Sequence, residues 1–401
     1  MHNILIFSNN AISNSESNGR IYSYLVDKYL PDHISNFYVR GNSDIDGVKY
    51  LFVSPKKALF SKLTFGFKKI SFYMERVSNS QNGCSNKSKK VFYHLLRNFS
   101  YSRNYSILKA LSLFIKENNI DTIFLWGSNV PFLYQYAFKI AKKHKLDLIT
   151  YTGEDYPLKD YNYISFRKSI LFPCFQRKLF KFAKAVYSIS RKNYFTNDEI
   201  KEFYKKTFEL KHAQTEYLKS TLTEISHKPN TNFFDVLYGG NLYNDRVNSI
   251  IEISQYLSKY SNVRIIIYGN GEQKQIQKLN ECKNIFYKGV VPYNELLSKF
   301  SKANLLLHVE GFSEFYKKDC KYAFSTKISD YFLSRIPFFV YGPLEISGVK
   351  YLLKLIPNFV AINKDELYKL DSIICGKTIF KFDFDTVNKD FSINSKIDIF
   401  D

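Results

Sequence analysis

Short apolar runs alternate with amphipathic stretches along most of the chain, the pattern of parallel strands joined by helices. In the first half, Ile4–Phe7, Asn36–Val39, Val48–Val53, Thr122–Trp126, Leu146–Thr150 and Ala185–Ile189 read as buried strands. Helices are predicted around Ile21, Tyr24 and Leu25, over Lys56–Tyr73, in one long run ending at Asn118, and over Pro131–Lys145, Arg167–Lys184 and Arg191–Lys206. The periodicity fades in Glu224–Asn232, a polar segment containing Pro229. It then restarts with strands Phe233–Tyr238, Val263–Tyr268, Ile285–Tyr287 and Leu305–His308, separated by helices Val247–Lys259 and Tyr293–Lys302 and a further helix after Glu272. Pro343–Leu355 and Asn358–Ala361 complete this second set. The expectation is an α/β protein of two domains, 1–223 and 233–380, with a linker at 224–232. The tail, 381–401, carries Phe382, Phe384 and Phe391 and is apolar enough to pack back on the first domain.

Open α/β sheets bind ligands where strands end and helices begin, so those loops carry the candidate chemistry. After the first strand, Gly19 and Arg20 stand at the head of a helix. Glu154 and Asp155 follow the strand that ends at Thr150, where a carboxylate can orient an acceptor hydroxyl; a solvated acidic loop fits the same residues. Gly239-Gly240-Asn241 lets backbone approach a diphosphate, with Arg246 a few residues on to neutralise it. Gly269-Asn270-Gly271 is a second tight turn into a helix. In FSTKISDYFLSRIPFFVYGP, Phe324 to Pro343, Ser325 or Thr326 caps a helix and Pro337 ends it before an apolar strand. Lys327 and Asp330 lie three apart on one face of its first turn. A cation beside free N–H groups suits a diphosphate and a carboxylate one turn on suits a ribose; read alone, the two are equally an exposed ion pair.

The stretch from Thr326 to Phe332, followed by Arg335-Ile336-Pro337-Phe338, resembles the donor-site helix of GT-B glycosyltransferases of the retaining, family-4 type. The double-glycine turn with Arg246 and the Gly269-Asn270-Gly271 turn extend the likeness, which is strong from Asp235 to Pro343 and weak before residue 160. Arg335-Ile336-Pro337 replaces the glycine-containing turn usual in that family, and three further positions depart from it. Asn241 replaces a base, Glu272 a proline, and Tyr322 a glutamate eight residues before Asp330, with Glu310 and Glu314 nearby as substitutes. The resemblance implies the GT-B fold, two doubly wound Rossmann-like domains facing across a cleft. It further implies transfer of a sugar, with retention, from a nucleotide-sugar in the second domain to an acceptor in the first. Donor-binding residues would be Gly239, Gly240, Asn241, Arg246, Gly269, Asn270, Gly271, Ser325, Thr326, Lys327 and Asp330. Catalysis would rest on Arg246, Lys327 and Glu154, and acceptor binding on Gly19, Arg20, Glu154 and Asp155. No metal or other cofactor is expected, because bases and helix N-termini stabilise the leaving diphosphate.

Charge and cysteine content narrow the setting. A net charge of +21 suits nucleic acid, an anionic membrane or a phosphorylated substrate, but the lysines are spread along the chain with no RNA-binding signature. Lys56–Tyr73 alternates bases with aromatics as an interfacial helix does, and equally as a packed helix with a basic rim does. Cysteines 84, 174, 282, 320 and 375 are scattered without metal-ligand spacing and read as reduced thiols. The start, MHNILIFSNN, reads as a strand and not as a signal peptide. These features predict a cytoplasmic protein, peripheral on the inner membrane face, with a lipid-diphosphate-linked glycan as acceptor in polysaccharide (capsule, O-antigen or exopolysaccharide) assembly. Asp44-Ile45-Asp46 and Asp383-Phe384-Asp385 lack the strand context of a metal-binding D-x-D, and His308 reads as a satisfied strand residue. The alternatives are a nucleotide-sugar 2-epimerase of the same fold and a non-catalytic basic scaffold for membrane or nucleic acid.

Overall fold

The structure is a computed structural model. It describes residues 2–63 apart from 14–18, 20, 21, 24, 25, 27, 28, 40, 42 and 44; 97–152 apart from 98 and 129; 178–188; 207–209; and 232–391 apart from 243, 244 and 322. The chain divides into two compact units, the first holding the described residues up to Glu209 and the second those from Asn232. Of the expected linker only Asn232 lies among the described residues.

In the first unit, strands β1 (Ile4–Phe7), β2 (Ile34–Tyr38), β3 (Lys49–Phe52), β4 (Thr122–Trp126), β5 (Asp147–Thr152), β6 (Ala185–Ser188) and β7 (Thr207–Glu209) form one parallel sheet in the order β3-β2-β1-β4-β5-β6-β7. β1 and β4 are buried along their whole length, as strands covered on both faces must be. Helices α1 (Pro55–Leu63), α2 (Tyr105–Glu117) and α3 (Pro131–His144) supply that cover, with Leu111, Phe114, Leu133 and Tyr136 packed in one cluster with Phe7, Phe37 and Ile123. The single helix expected up to Asn118 is in fact interrupted. Arg103 turns to a φ of 52°, and Asn104 restarts the helix by accepting from the N–H groups of Ser106 and Ile107. β7 has no counterpart among the predicted strands.

The second unit repeats the plan with β8 (Phe234–Gly239), β9 (Val263–Tyr268), β10 (Ile285–Gly289), β11 (Leu305–Val309), β12 (Phe338–Tyr341) and β13 (Val360–Ala361), in the parallel order β10-β9-β8-β11-β12-β13. Its helices are α4 (Arg246–Leu257), α5 (Gln273–Asn280), α6 (Tyr293–Phe300), α7 (Glu314–Cys320), α8 (Lys327–Ser334), α9 (Ser347–Leu355), α10 (Lys369–Ile374) and α11 (Phe384–Phe391). In each sheet the strand order reverses beside the first strand, at β1/β4 and at β8/β11, which opens a crevice at the strands' carboxyl ends. α7 lies between β11 and α8, where no helix was predicted.

The described part of the tail packs on the second unit. Phe382 meets Phe332 at 4.9 Å, Phe380 meets Phe338 at 5.3 Å and Phe391 meets Phe324 at 5.8 Å, so these rings close the core of the second unit. Residues 392–401 lie outside the described part.

α8 ends on Arg335, which takes the left-handed turn with φ 56° that the resembling family gives to glycine. An L side chain in that region carries a backbone cost, so Arg335→Gly is expected to stabilise the second unit by about 0.5–1 kcal/mol. Urea denaturation followed by tryptophan-independent circular dichroism reads this directly; no gain would show that the Arg335 side chain contributes more than its backbone costs.

Candidate functional site

The crevice at the carboxyl ends of β8 and β11 collects most of the singled-out residues. Gly239 and Gly240 end β8, and Gly240 holds a φ of +153° that L side chains rarely adopt. Its N–H donates to Tyr268 O at 2.8 Å, and its own carbonyl lies so close to Gly269 that a Cβ there would come within 1.7 Å. Leu242 N–H donates to Asn270 O at 2.8 Å, with Gly271 pressed on the Leu242 side chain. The two turns are therefore interlocked, the second approaching the first this closely only because Gly269 lacks a side chain. Asn241 offers its carbonyl to the Tyr238 hydroxyl at 2.7 Å.

Arg246 opens α4, directly after Asp245 has accepted the N–H groups of Phe312 and Ser313 at 3.1 and 2.7 Å. Its guanidinium reaches Glu310 at the end of β11, Nη2 to Oε2 at 2.9 Å and Nε to Oε2 at 3.2 Å. Tyr316 also donates to Glu310 Oε2, and His308 Nε2 lies 3.1 Å from Oε1. Burial alone would raise the Glu310 pKa, but Arg246, His308 and Tyr316 outweigh it and hold the carboxyl well below the usual range. Burial lowers the His308 pKa, so the ring stays neutral; its Nδ1 is enclosed without a partner. Glu310 is thus an internal counter-ion, and neither it nor His308 is an inert strand-end residue.

Lys327 is the first residue of α8, whose N-cap is Thr326. Thr326 makes no side-chain cap; Ser325 Oγ is the nearer acceptor, 3.4 Å from the Lys327 N–H. The Lys327 stem is half-buried, but its Nζ is closed to water, lacks a hydrogen-bond partner and stands 4.4 Å from the centre of the Tyr238 ring. A Cβ on Gly240 would come within 2.7 Å of that Nζ. Burial and then the Arg246 charge push the Lys327 pKa down to about 7, against smaller opposing effects of Glu310 and Asp330. Asp330, only 5% exposed, accepts from the Tyr293 hydroxyl at 2.9 Å. Lys327 and Asp330 are therefore not the exposed ion pair that their spacing also allowed.

The structure thus brings Gly239, Gly240, Asn241, Arg246, Gly269, Asn270, Gly271, Lys327 and Asp330 to one end of one sheet, with Ser325 and Thr326 at the head of α8. Arg20, Glu154 and Asp155 lie outside the described residues. Gly19 belongs to the first unit, where a Cβ would meet Ala11 O at 2.6 Å, so its missing side chain serves close packing on residues 11–13. Sequence reasoning missed Tyr238, Tyr293 and Tyr316, since a tyrosine beside a strand gives no signal of which charge it will serve. Among the described residues no cluster of three or more histidine, cysteine or carboxylate side chains could hold a metal ion. Likewise no helix there is long and apolar enough to cross a membrane.

The sequence matches no known family model and none of the characterised proteins compared with it. Solved structures do match. Sucrose-phosphate synthase from Thermosynechococcus elongatus aligns over 98% of this chain and 96% of its own, with a TM-score of 0.57 at 10% identity. Anabaena HepE, solved with UDP and glucose, aligns over 97% and 98% with a TM-score of 0.54 at 10% identity. A glycosyltransferase from Rickettsia africae aligns over 98% and 95% with a TM-score of 0.53 at 14% identity. The chain has the two-domain α/β architecture of these GT-B structures.

An enclosed ammonium with no partner weakens the empty protein. Lys327 is protonated in the unfolded chain up to its ordinary value of 10.5 and in the folded chain only to about 7. The unfolded state therefore binds more protons between those values; stability rises with pH across the window, and the penalty is full below it. Lys327→Met is expected to melt higher than the wild type, by roughly 2–4 kcal/mol at pH 6, with the gap closing toward pH 10. Thermal melts over that range check it, and a destabilised variant at pH 6 would show that the ammonium has a partner.

Proposed function

We propose that the second unit holds the diphosphate of a nucleotide-sugar and that the protein transfers the sugar to an acceptor. The observation that carries this reading is Lys327 Nζ, an enclosed, unpartnered cation donor set against the Gly240 turn at the first residue of α8. An anion at a helix N-terminus, next to backbone that only glycine can form, completes such a site. Asp330, three residues on and buried, would take the ribose hydroxyls. Support comes also from the shared fold, since HepE was solved with UDP and glucose. In the transfer, Lys327 and Arg246 would stabilise charge gathering on the leaving diphosphate, the work that a metal ion does elsewhere. Glu310 fixes the Arg246 guanidinium through Nε and Nη2. Retention of anomeric configuration follows from the likeness of the Thr326–Phe338 stretch to retaining enzymes.

On the acceptor side, Gly19, Arg20, Glu154 and Asp155 remain the proposed residues, and a lipid-diphosphate-linked glycan in polysaccharide assembly the proposed acceptor. The net charge of +21 supports an anionic membrane surface, as does α1, where Lys56 and Lys57 accompany Phe60 and Leu63 at 61% and 62% exposure. Sedimentation with vesicles is expected to depend on anionic lipid; equal recovery on neutral vesicles would remove the membrane from the proposal.

The decisive experiment is a thermal-shift panel of UDP-, GDP-, CMP- and dTDP-sugars, with and without EDTA. One nucleotide class is expected to raise the melting temperature regardless of chelator, and Asp330→Ala to lose the shift. A wild type that no nucleotide-sugar stabilises at millimolar concentration would reject the donor site.

A further inference from the structure

The charges around Lys327 do not balance in the empty site. Arg246 is matched by Glu310 at 2.9 Å, and that carboxylate is also satisfied by Tyr316 and by His308. Lys327 Nζ, by contrast, has no hydrogen-bond partner and is closed to water, and the face of the Tyr238 ring at 4.4 Å is a weak substitute for an anion. The amine occupies the space beside the turn that Gly240 leaves open, where a Cβ would come within 2.7 Å of Nζ. An ammonium held this way is disfavoured, and the amine sheds its proton near neutrality. The diphosphate of a nucleotide-sugar, a diester on both sides, stays doubly ionised across the physiological range. Set against Nζ, it restores the preference for the charged amine.

We infer that the site binds its diphosphate together with a proton, taken up from solvent on the Lys327 Nζ lone pair, so that the bound pair is the dianion and a newly formed ammonium. The inference rests on the nucleotide-sugar reading and adds to it the state in which the donor is held. No bond in the ligand changes, and the one proton gained by the complex is lost by the buffer. The other ionisable groups facing the amine are Arg246 from α4, Glu310 and His308 from β11, Tyr238 from β8, and Asp330 from α8 itself. Arg246 stays charged, Glu310 stays ionised, and the Tyr238 hydroxyl, pushed up to about 12, stays neutral. His308 is the competing acceptor, since its Nδ1 is also enclosed and unpartnered.

Isothermal titration with UDP-glucose, or with whichever nucleotide-sugar the thermal panel selects, tests this in buffers of different ionisation enthalpy. The buffer dependence is expected to report uptake of most of one proton at pH 7.5 and little at pH 6, with binding on the order of ten-fold weaker at pH 8.5 than at pH 6.5. Lys327→Met is expected to bind more weakly and without uptake. Should it bind too weakly to measure, His308→Asn decides: unchanged uptake supports Lys327, and lost uptake overturns it. Wild-type binding with no proton uptake at pH 7.5, or uptake that survives in Lys327→Met, overturns the inference while leaving the donor site standing. Absence of binding by every nucleotide-sugar overturns both.

Discussion

A carboxylate that water cannot reach must be surrounded by donors, and Glu310 is where the second unit meets that demand. Arg246 from α4, His308 from β11 and Tyr316 from α7 all turn to its side chain. Its backbone is held as well, the carbonyl by Ser249 Oγ at 2.7 Å and the N–H by Tyr341 O at 2.9 Å. Gly342 completes the enclosure, because a Cβ there would come within 2.9 Å of the Glu310 Cβ. One buried charge therefore ties the head of α4, the ends of β11 and β12 and the short helix α7 into a single arrangement. A buried pair of this kind adds little net stability, but removing either partner is costly, so the geometry is specified more than strengthened.

The consequence falls on the neighbouring cation. With Arg246 paired to Glu310, more of the electrostatic need of an incoming anion falls on Lys327 and on the N–H groups that open α8. Glycine placement then decides how close the anion and the amine can come. Gly240 keeps its turn against Lys327 on one side and against Gly269 on the other, so a side chain at either position would displace the amine or the second turn. Sterics and charge act on the same few atoms.

Much of this plan was legible in the sequence because parallel strands buried on both faces leave continuous apolar runs. β1, β4, β9 and β11 fall within a residue of the runs that announced them. The glycine turns and the helix carrying Lys327 and Asp330 were legible for a related reason, since both depend on local backbone chemistry. What was not legible is set by contacts distant in sequence. The interruption at Asn104 depends on a side chain that also reaches Ala58 O, 46 residues away, at 2.8 Å. Likewise Glu310 looked like a free loop acid until Arg246, 64 positions earlier, was seen to claim it. The rings at 380, 382 and 391 gave a signal of burial, and their partners, Phe338, Phe332 and Phe324, lie in the second unit.

The departures from the resembling family also acquire a common sense. Beside the glycine turn the usual base is Asn241, and eight residues before Asp330 the usual glutamate is Tyr322. One positive and one negative charge are thereby absent together, and the remaining base, Arg246, is paired with a carboxylate that the sequence supplies elsewhere. The net result is a site of the same general construction whose uncompensated charge rests on one enclosed amine. Concentrating the role on one amine in a dry setting brings its titration into the physiological range, because no neighbouring carboxylate is free to hold the proton in the anion's absence.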